Sequence, residues 1–366
     1  MGFAEELVAG PRGRRLCFSA VAGRMFSWPD ASPQTIVGFV QDREADEVAA
    51  LAGWGETALL EPLADSVDRA MYWQEPDEID QALAAAEVAP ALLPVAEAIA
   101  SAPGARWWSS PVDLGHQVAA TTHPGEVPTV RPAGEVLARW RAETVEDERR
   151  SRRRPADPAA PFGGFWWSRP PHDLINSTRA RPVALGLCLE EDSFGPEWAW
   201  CRSVRPAGEP RVHEITGPED WCELVERYPM EVTLSRRHDW FRVTGWTGRW
   251  MTPDWEAVAA DHDAVHLTLT GYLTTAGRAL PVGGARTVLA GWDPDQTFWF
   301  TDALDVGEPV LWRGEPDDLG SWAPAAPGER PPEPPAQPPR TRGWRRLLRA
   351  LRTRPGGVVA PPGHRG

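Results

Sequence analysis

Val265-His266-Leu267-Thr268-Leu269-Thr270 is the stretch from which the fold of this chain is predicted. Apolar and polar side chains alternate strictly along it, and a period of two is typical of a β-strand with one buried face. We expect the three apolar residues to face a core. The three polar residues, of which His266 is the first, are expected to face outward.

The strand belongs to the best-patterned part of the chain, residues 165–313. Seven similar runs predict further strands there, at residues 183–189, 198–204, 211–215, 231–234, 240–244, 286–290 and 297–301. Pro218 and Pro253 each follow a capping residue and precede acids, which is typical of the first turn of a helix. The order predicts an α+β fold of two modules, in which the second is a mostly antiparallel β-sheet with short helices.

The first module, residues 1–120, is expected to mix α and β structure. Residues 16–22 and 35–41 are short β-like runs, and the intervening Ser32-Pro33 indicates a turn. Apolar residues recur with helical spacing from Glu44 onward. Residues 121–164 are interpreted as a linker that contains an exposed helix at 132–148 and then an Arg- and Pro-rich stretch.

The end of the chain is expected to be disordered. Residues 314–339 are interpreted as a Pro-rich spacer, and residues 340–366 as a basic amphipathic tail. The tail places apolar and basic side chains on separate faces of a short helix, at Trp344, Arg345, Arg346, Leu347, Leu348, Arg349, Leu351 and Arg352. We expect it to bind an anionic membrane surface or an acidic partner; the alternative is docking on the acidic body of the same chain.

Composition limits the classes of function. The 366 residues carry a formal net charge of −14 and include 20 tryptophans and no lysine. The acidic balance argues against binding of nucleic acid. The four cysteines are widely separated, so free thiols in a reducing compartment are expected. Neither a signal peptide nor a membrane-spanning stretch is recognised, and a cytoplasmic location is the expectation.

The familiar catalytic loops are absent from the sequence, including the P-loop, the Rossmann glycine motif and the nucleophile elbow. His262 and His266 would share a face only on a helix, so no metal site is predicted. Asp293-Pro294-Asp295 is interpreted as a tight turn held by Trp292 and Phe298, not as a calcium loop.

One polar cluster is the candidate ligand site. Ser177, Thr178 and Arg179 follow Trp166 and Trp167, and a guanidinium beside hydroxyls suits a phosphate or carboxylate, while aromatic rings could stack a flat group. The alternative is a capped loop whose arginine pairs with a nearby acid, such as Glu190 or Asp192.

The segments Trp166-Trp167-Ser168, Val212-His213-Glu214-Ile215 and Gly291-Trp292-Asp293-Pro294-Asp295 resemble a family of actinomycete proteins, a resemblance that covers about residues 165–302 and implies no activity. The layout is also faintly similar to that of ADP-ribosyltransferases, to which Ser177-Thr178 and a glutamate, Glu214 or else Glu190 or Glu191, could correspond, although Arg179 stands where that family has a second serine.

Two functions follow as hypotheses. The first is a non-catalytic binding or interaction protein that has a protein partner and needs no cofactor. The alternative is an ADP-ribosyltransferase-like enzyme acting on NAD, with Arg179 on the diphosphate and Glu214 stabilising the positive charge of the transition state.

Overall fold

A computed structural model describes residues 2–23, 28, 30–122, 130–180, 183–315 and 318–331. The described residues up to Gly328 belong to one compact unit. The predicted tail helix around Trp344 and the last part of the predicted spacer, residues 332–339, lie outside the described residues. Within the described ranges, no helix is both long enough and apolar enough to cross a membrane.

The described residues contain twelve α-helices and thirteen β-strands, which make the α+β fold that the sequence predicts. The helices are α1 (Phe3–Ala9), α2 (Pro11–Ala22), α3 (Pro33–Gln41), α4 (Ala45–Ala50), α5 (Glu56–Asp68), α6 (Glu78–Leu83), α7 (Val88–Ser101), α8 (Ala133–Arg150), α9 (Pro218–Arg227), α10 (Thr233–Thr244), α11 (Trp255–Asp261) and α12 (Leu269–Thr275). The strands are β1 (Gln117–Thr121), β2 (Asn176–Arg179), β3 (Trp198–Pro206), β4 (Val212–Ile215), β5 (Pro229–Glu231), β6 (Met251–Pro253), β7 (Ala264–Leu267), β8 (Leu280–Val282), β9 (Ala285–Thr287), β10 (Thr297–Trp299), β11 (Leu304–Val306), β12 (Val310–Glu315) and β13 (Asp318–Pro324).

The N-terminal third of the chain is helical. The β-like runs at 16–22 and 35–41 are wrong as strands, because they lie in α2 and α3. The dipeptide Ser32-Pro33 starts α3: the Ser32 hydroxyl accepts a hydrogen bond from the Thr35 amide at 3.2 Å, and the proline occupies the first helical turn. Short apolar runs suit a buried helix as well as a strand, and these runs pack in the core.

The main sheet has nine strands. Eight follow the order β13-β12-β3-β1-β2-β10-β7-β4, and β11 pairs with β3. Neighbouring strands are antiparallel except β4 and β7, which are parallel, so the prediction of a mostly antiparallel sheet is confirmed. Strand β1 comes from the predicted first module and lies between two strands of the predicted second module. The two predicted modules therefore share one sheet.

Five predicted strands differ from the structure. Residues 286–290 overlap β9 only at Arg286 and Thr287. Residues 183–189 contain a 3-10 turn at Leu185–Leu187, residues 240–244 lie in α10, and residues 231–234 run from the end of β5 into α10. The opening stretch is a strand only as far as Leu267. The Thr268 hydroxyl then accepts a hydrogen bond from the Gly271 amide at 2.9 Å and caps α12. Threonine suits both a strand and a helix cap, so alternation alone did not distinguish the two.

The linker helix is confirmed as α8, but it is not fully exposed, since Val136 and Leu137 are buried. Helix α9 begins at Pro218 as predicted. Helix α11 begins two residues later than predicted, because Pro253 ends β6 and Asp254 is the cap, accepting from the Ala257 amide.

The proposed spacer starts too early at residue 314. Strands β12 and β13 form a hairpin on the sheet edge, and Trp322 of β13 is buried. Gly314 lies against that indole, 2.6 Å from where its own Cβ would stand, so this position has no room for a side chain. The described part of the Pro-rich region therefore contributes a strand to the fold.

Nearly half of the 20 tryptophans lie in the interior. Nine tryptophans are buried, at Trp108, Trp198, Trp221, Trp240, Trp250, Trp255, Trp292, Trp299 and Trp322. Two of these rings, Trp255 and Trp292, pack edge to face with centroids 5.7 Å apart, and Phe298 packs edge to face on Trp292 at 5.6 Å. The composition therefore indicates core packing more than a recognition surface.

The two faces of the sheet differ in character. Cross-strand partners share a face, and the register Gln117–Arg179, Ser177–Thr297, Thr297–His266 and His266–Glu214 places a row of polar side chains on one face. The intervening residues, such as Val265 and Phe298, point to the other face and join the main apolar core. The polar row is the feature from which the candidate site is built.

Candidate functional site

A buried chain of charged groups crosses the polar face of the sheet. The Arg179 Nε donates to Asp295 Oδ1 at 2.6 Å, and the same carboxylate lies 3.4 Å from His266 Nε2. The other ring nitrogen of His266 lies 2.5 Å from Glu214 Oε2. Arg179 and Glu214, both predicted as site residues, are thus members of one chain of contacts, although they do not touch.

The buried chain contains two acids, Asp295 and Glu214, and two basic groups, Arg179 and His266. Burial opposes the charge on His266, but hydrogen bonds to Asp295 and Glu214 outweigh it and raise the pKa of the imidazole. The prediction that His266 faces outward into solvent is wrong, because the side chain is fully buried on the second face of the sheet. Its polarity is explained by its two carboxylate partners.

Arg179 is held inside the protein. Its side chain is 6% exposed, its backbone amide also donates to Asp295, and its guanidinium lies 4.5 Å from the Trp107 ring. A diphosphate would have to break these contacts to reach it. Glu214 also accepts from the Val112 amide at 3.0 Å. The structure therefore matches the second interpretation of this arginine, a structural ion pair, with Asp295 in place of Glu190 or Asp192.

A fork in the sheet opens beside this chain. Strands β1 and β2 pair at two positions only, Gln117 with Arg179 and Val118 with Thr178. Beyond these pairs β1 continues along β3, while β2 continues along β10. The two strands diverge, and a cavity of about 380 Å³ lies between them, lined by residues 118–122 on one side and 175–178 on the other.

The hydroxyls of the predicted site line this cavity but are already engaged. Ser177 Oγ donates to Gln117 Oε1 at 2.8 Å and accepts from Trp299 Nε1 at 2.9 Å. Thr178 Oγ1 accepts from the Gly186 amide at 2.9 Å. These two side chains therefore shape the wall of the cavity, and other groups are available for a ligand.

Two atoms in the lining lack hydrogen-bond partners. Trp200 Nε1 is a donor and Gln296 Oε1 is an acceptor; both are buried, and neither is paired within the described chain. Leaving a buried polar group unpaired costs about 1–3 kcal/mol. A polar ligand in this cavity could accept a hydrogen bond from the Trp200 N–H and donate one to the Gln296 oxygen.

Two carboxyl groups in the lining have unusual acidity. Burial, together with the charge of Asp293, raises the pKa of Glu190 to about 7. Burial likewise raises the pKa of Asp293 to about 6, although its side chain accepts from the Glu191 amide at 2.8 Å. Near neutral pH each group exists partly as the protonated acid and can then donate as well as accept.

The turn Asp293-Pro294-Asp295 joins the cavity to the buried chain. The predicted tight turn is confirmed: Asp295 has a φ of 58°, and Trp292 packs against Phe298. Asp293 and Gln296 line the cavity, whereas Asp295 binds Arg179 and His266. One short turn therefore positions groups of both constellations.

Sequence reasoning missed Trp200, Gln296 and Asp293 as cavity residues. Trp200 stood in a correctly predicted strand and Asp293 in a correctly predicted turn, but no local signal showed where β1 and β2 separate. The described residues contain no cluster of three or more His, Cys, Asp or Glu arranged to hold a metal ion. All four cysteines are free thiols, as expected.

The two predicted aromatic walls pack edge to face on each other, with ring centroids 5.7 Å apart, and neither lines the cavity of the fork. Trp166 packs near Tyr72 in the core, and its carbonyl accepts from Trp240 Nε1 at 2.6 Å. Trp167 lines a second, smaller cavity.

Comparison of the chain with protein-family models, with curated proteins and with solved structures found no match.

Proposed function

We propose that this chain is a non-catalytic binding protein, whose ligand is a small uncharged molecule with several hydroxyl groups held in the cavity between β1 and β2. The observation that carries the proposal is the pair of unpaired buried atoms, Trp200 Nε1 and Gln296 Oε1, in the lining of one cavity. A hydroxyl group both donates and accepts, so a molecule with several hydroxyls can satisfy both atoms.

The acids and the volume of the cavity support the same class of ligand. A carboxyl group that titrates near neutrality, such as Glu190, hydrogen-bonds to a hydroxyl in either of its protonation states. A volume of about 380 Å³ lies in the range of small-molecule pockets. The lining also contains the Trp200 ring, whose face can pack against the apolar side of a sugar ring.

Ligand-observed NMR tests the proposal. The full chain is titrated with glucose, ribose and inositol, and the titration is repeated with the Trp200→Phe and Gln296→Leu variants. Each variant removes one of the open groups, so we expect affinity to fall about tenfold. Trp73→Phe is the control, because Trp73 is an exposed indole outside the cavity lining. If no hydroxylated probe binds, or if both variants bind as the wild type does, the proposal is wrong.

The ADP-ribosyltransferase-like alternative stays a prediction. Ser177 and Thr178 line the cavity, which supports this alternative. Arg179 and Glu214 are held by Asp295 and His266, and these contacts do not support it. Titration with NAD in the same experiment tests it. Binding of NAD, with hydrolysis that Glu214→Gln abolishes, would favour the enzyme over the binding protein.

A protein partner, also expected from the sequence, has one structural support. Phe194 is 94% exposed on a loop whose neighbouring residues are fixed: Trp73 Nε1 donates to Asp192 Oδ2 at 2.8 Å, and the Ser193 amide donates to Asp68 at 3.1 Å. An exposed aromatic side chain on an anchored loop can serve as the centre of a protein-binding surface. Pull-down with wild type and Phe194→Ser tests it: we expect a stoichiometric partner that the variant loses, and retention by the variant would contradict the assignment.

A further inference from the structure

A second cavity, of about 270 Å³, lies between α8, α10 and the segment that precedes β2. Its lining combines aromatic rings with guanidinium groups, from Trp140, Phe165, Trp167, Arg139, Arg169 and Arg236. It is distinct from the cavity of the fork, although His172 and Asp173 contribute to both.

Arg236 is the central group of this second cavity. The residue is 4% exposed, and neither its Nε nor its Nη1 donates to an acceptor within the described ranges of the chain. Its closest acid is Asp147, whose Oδ2 lies 3.7 Å from Nη1. Burial lowers the pKa of Arg236 to about 10, since the nearby acids offset it only in part. A buried cation with open donors is the arrangement that an anionic ligand completes.

The acids nearby are largely committed to other arginines. The other oxygen of Asp147 accepts from Arg154 at 2.9 Å. Asp173 accepts from Arg139 at 2.5 Å and lies 3.8 Å from Arg131. Three guanidinium groups line the cavity, against the carboxylates of Glu143 and Asp173. The balance in this cavity therefore favours a negatively charged ligand.

The aromatic lining specifies the rest of the ligand. Phe165 and Trp167 pack edge to face at 4.9 Å, and the Arg236 guanidinium carbon lies 5.7 Å from the Phe165 ring. Trp140 of α8 completes the aromatic lining. Rings of this kind pack against a flat group, and the planar fork of arginine matches a carboxylate.

We propose that the second cavity binds a small aromatic carboxylate, with the carboxylate on Arg236 and the ring against Trp140 and Trp167. The site does not rest on the proposed function: it uses another cavity, another set of residues and a ligand of opposite character. A guanidinium beside aromatic walls was expected from the sequence, but the structure assigns Arg236 and Trp167 to this arrangement instead of Arg179 and Trp166.

Isothermal titration of the full chain tests the site with indole-3-carboxylate as the probe. Indole-3-carboxamide has the same ring without the charge, and acetate has the charge without the ring. We expect the aromatic acid to bind at least tenfold more tightly than either. Equal binding of the acid and the amide would overturn the proposal, because Arg236 would then have no role.

Variants locate the binding. Arg236→Gln should weaken the aromatic acid about 10- to 100-fold through loss of a charge-assisted contact. Arg150→Gln, which removes an exposed arginine of α8 outside the lining, should bind as the wild type does. Because Arg236 is buried and its replacement can prevent folding, Trp140→Leu provides a second test. Unchanged binding in Trp140→Leu, or in folded Arg236→Gln, contradicts the site. Unchanged binding in Trp200→Phe is expected, and it separates this proposal from the first.

Discussion

Replacement of Glu190 by glutamine should make the protein more stable near neutral pH. The pKa of Glu190 rises from 4.5 to about 7 in the fold, with burial as the main cause and the charge of Asp293 as the next. Between these two values the folded protein retains a proton that the unfolded chain releases. The free energy of unfolding therefore falls as the pH rises through this window.

The size of the effect follows from the two pKa values. At 1.36 kcal/mol per pKa unit, a rise from 4.5 to about 7 corresponds to at most about 3 kcal/mol. Glu190 is only partly buried, so solvent screening reduces the expected value to about 2 kcal/mol. Glutamine keeps the shape and hydrogen-bonding groups of the protonated acid and does not ionise, so it should recover this amount above pH 7.

Urea unfolding at pH 5 and pH 8 measures the prediction. The wild type should lose about 2 kcal/mol more than Glu190→Gln between the two conditions. Glu197→Gln, a change at an exposed acid a few residues further along the chain, should lose as much as the wild type. A Glu190→Gln variant with the same pH dependence as the wild type would refute the reasoning. If Glu190→Gln is more stable but binds the ligand more weakly, Glu190 contributes to ligand binding at the expense of stability.

Three further predictions concern the fold. The fold raises the pKa of His266, so protonated His266 stabilises the folded protein fully below about pH 6.5, and this stabilisation is lost as the pH rises through the pKa of the folded state. The loss of stability caused by His266→Gln, measured by urea unfolding, should therefore be smaller at pH 9 than at pH 6. Gly271→Ala should destabilise the protein by more than 1 kcal/mol in the same assay, because the new Cβ would lie 2.2 Å from the Ile215 carbonyl oxygen. Gly38→Ala is the control, because Gly38 lies in an open position of α3, and it should stabilise the protein by about 0.5–1 kcal/mol. Trp322→Ala should cost about 3 kcal/mol in thermal unfolding if the β12–β13 hairpin is part of the folded unit, and no change would restore the spacer interpretation.

Local signals predicted the parts of the fold that local chemistry determines. Pro218 after a glycine, followed by two acids, places the start of α9 correctly, and the Asp293-Pro294-Asp295 turn follows from the same kind of signal. The errors lie where two structures share one local pattern. Residues 16–22 and 240–244 are apolar enough for either a strand or a buried helix, and packing makes them helical.

The candidate site was only half visible in the sequence because it depends on register. Arg179 and Glu214 lie far apart along the chain, and they enter one buried chain because β2, β10, β7 and β4 are neighbours in the sheet. The alternation of His266 with Val265 identifies a face of the strand but not what covers that face, so the pattern predicts exposure for a side chain that is buried. The cavity arises where β1 and β2 stop pairing, which depends on their separate partners, β3 and β10.

The wall shared by the two cavities has a consequence for any pair of ligands. His172 and Asp173 contribute to both linings, and Pro170 and Pro171 just before them restrict the backbone of this segment. A ligand that displaces His172 and Asp173 when it binds in one cavity changes the free energy of ligand binding in the other. By thermodynamic reciprocity, each occupant would change the affinity of its neighbour by the same factor.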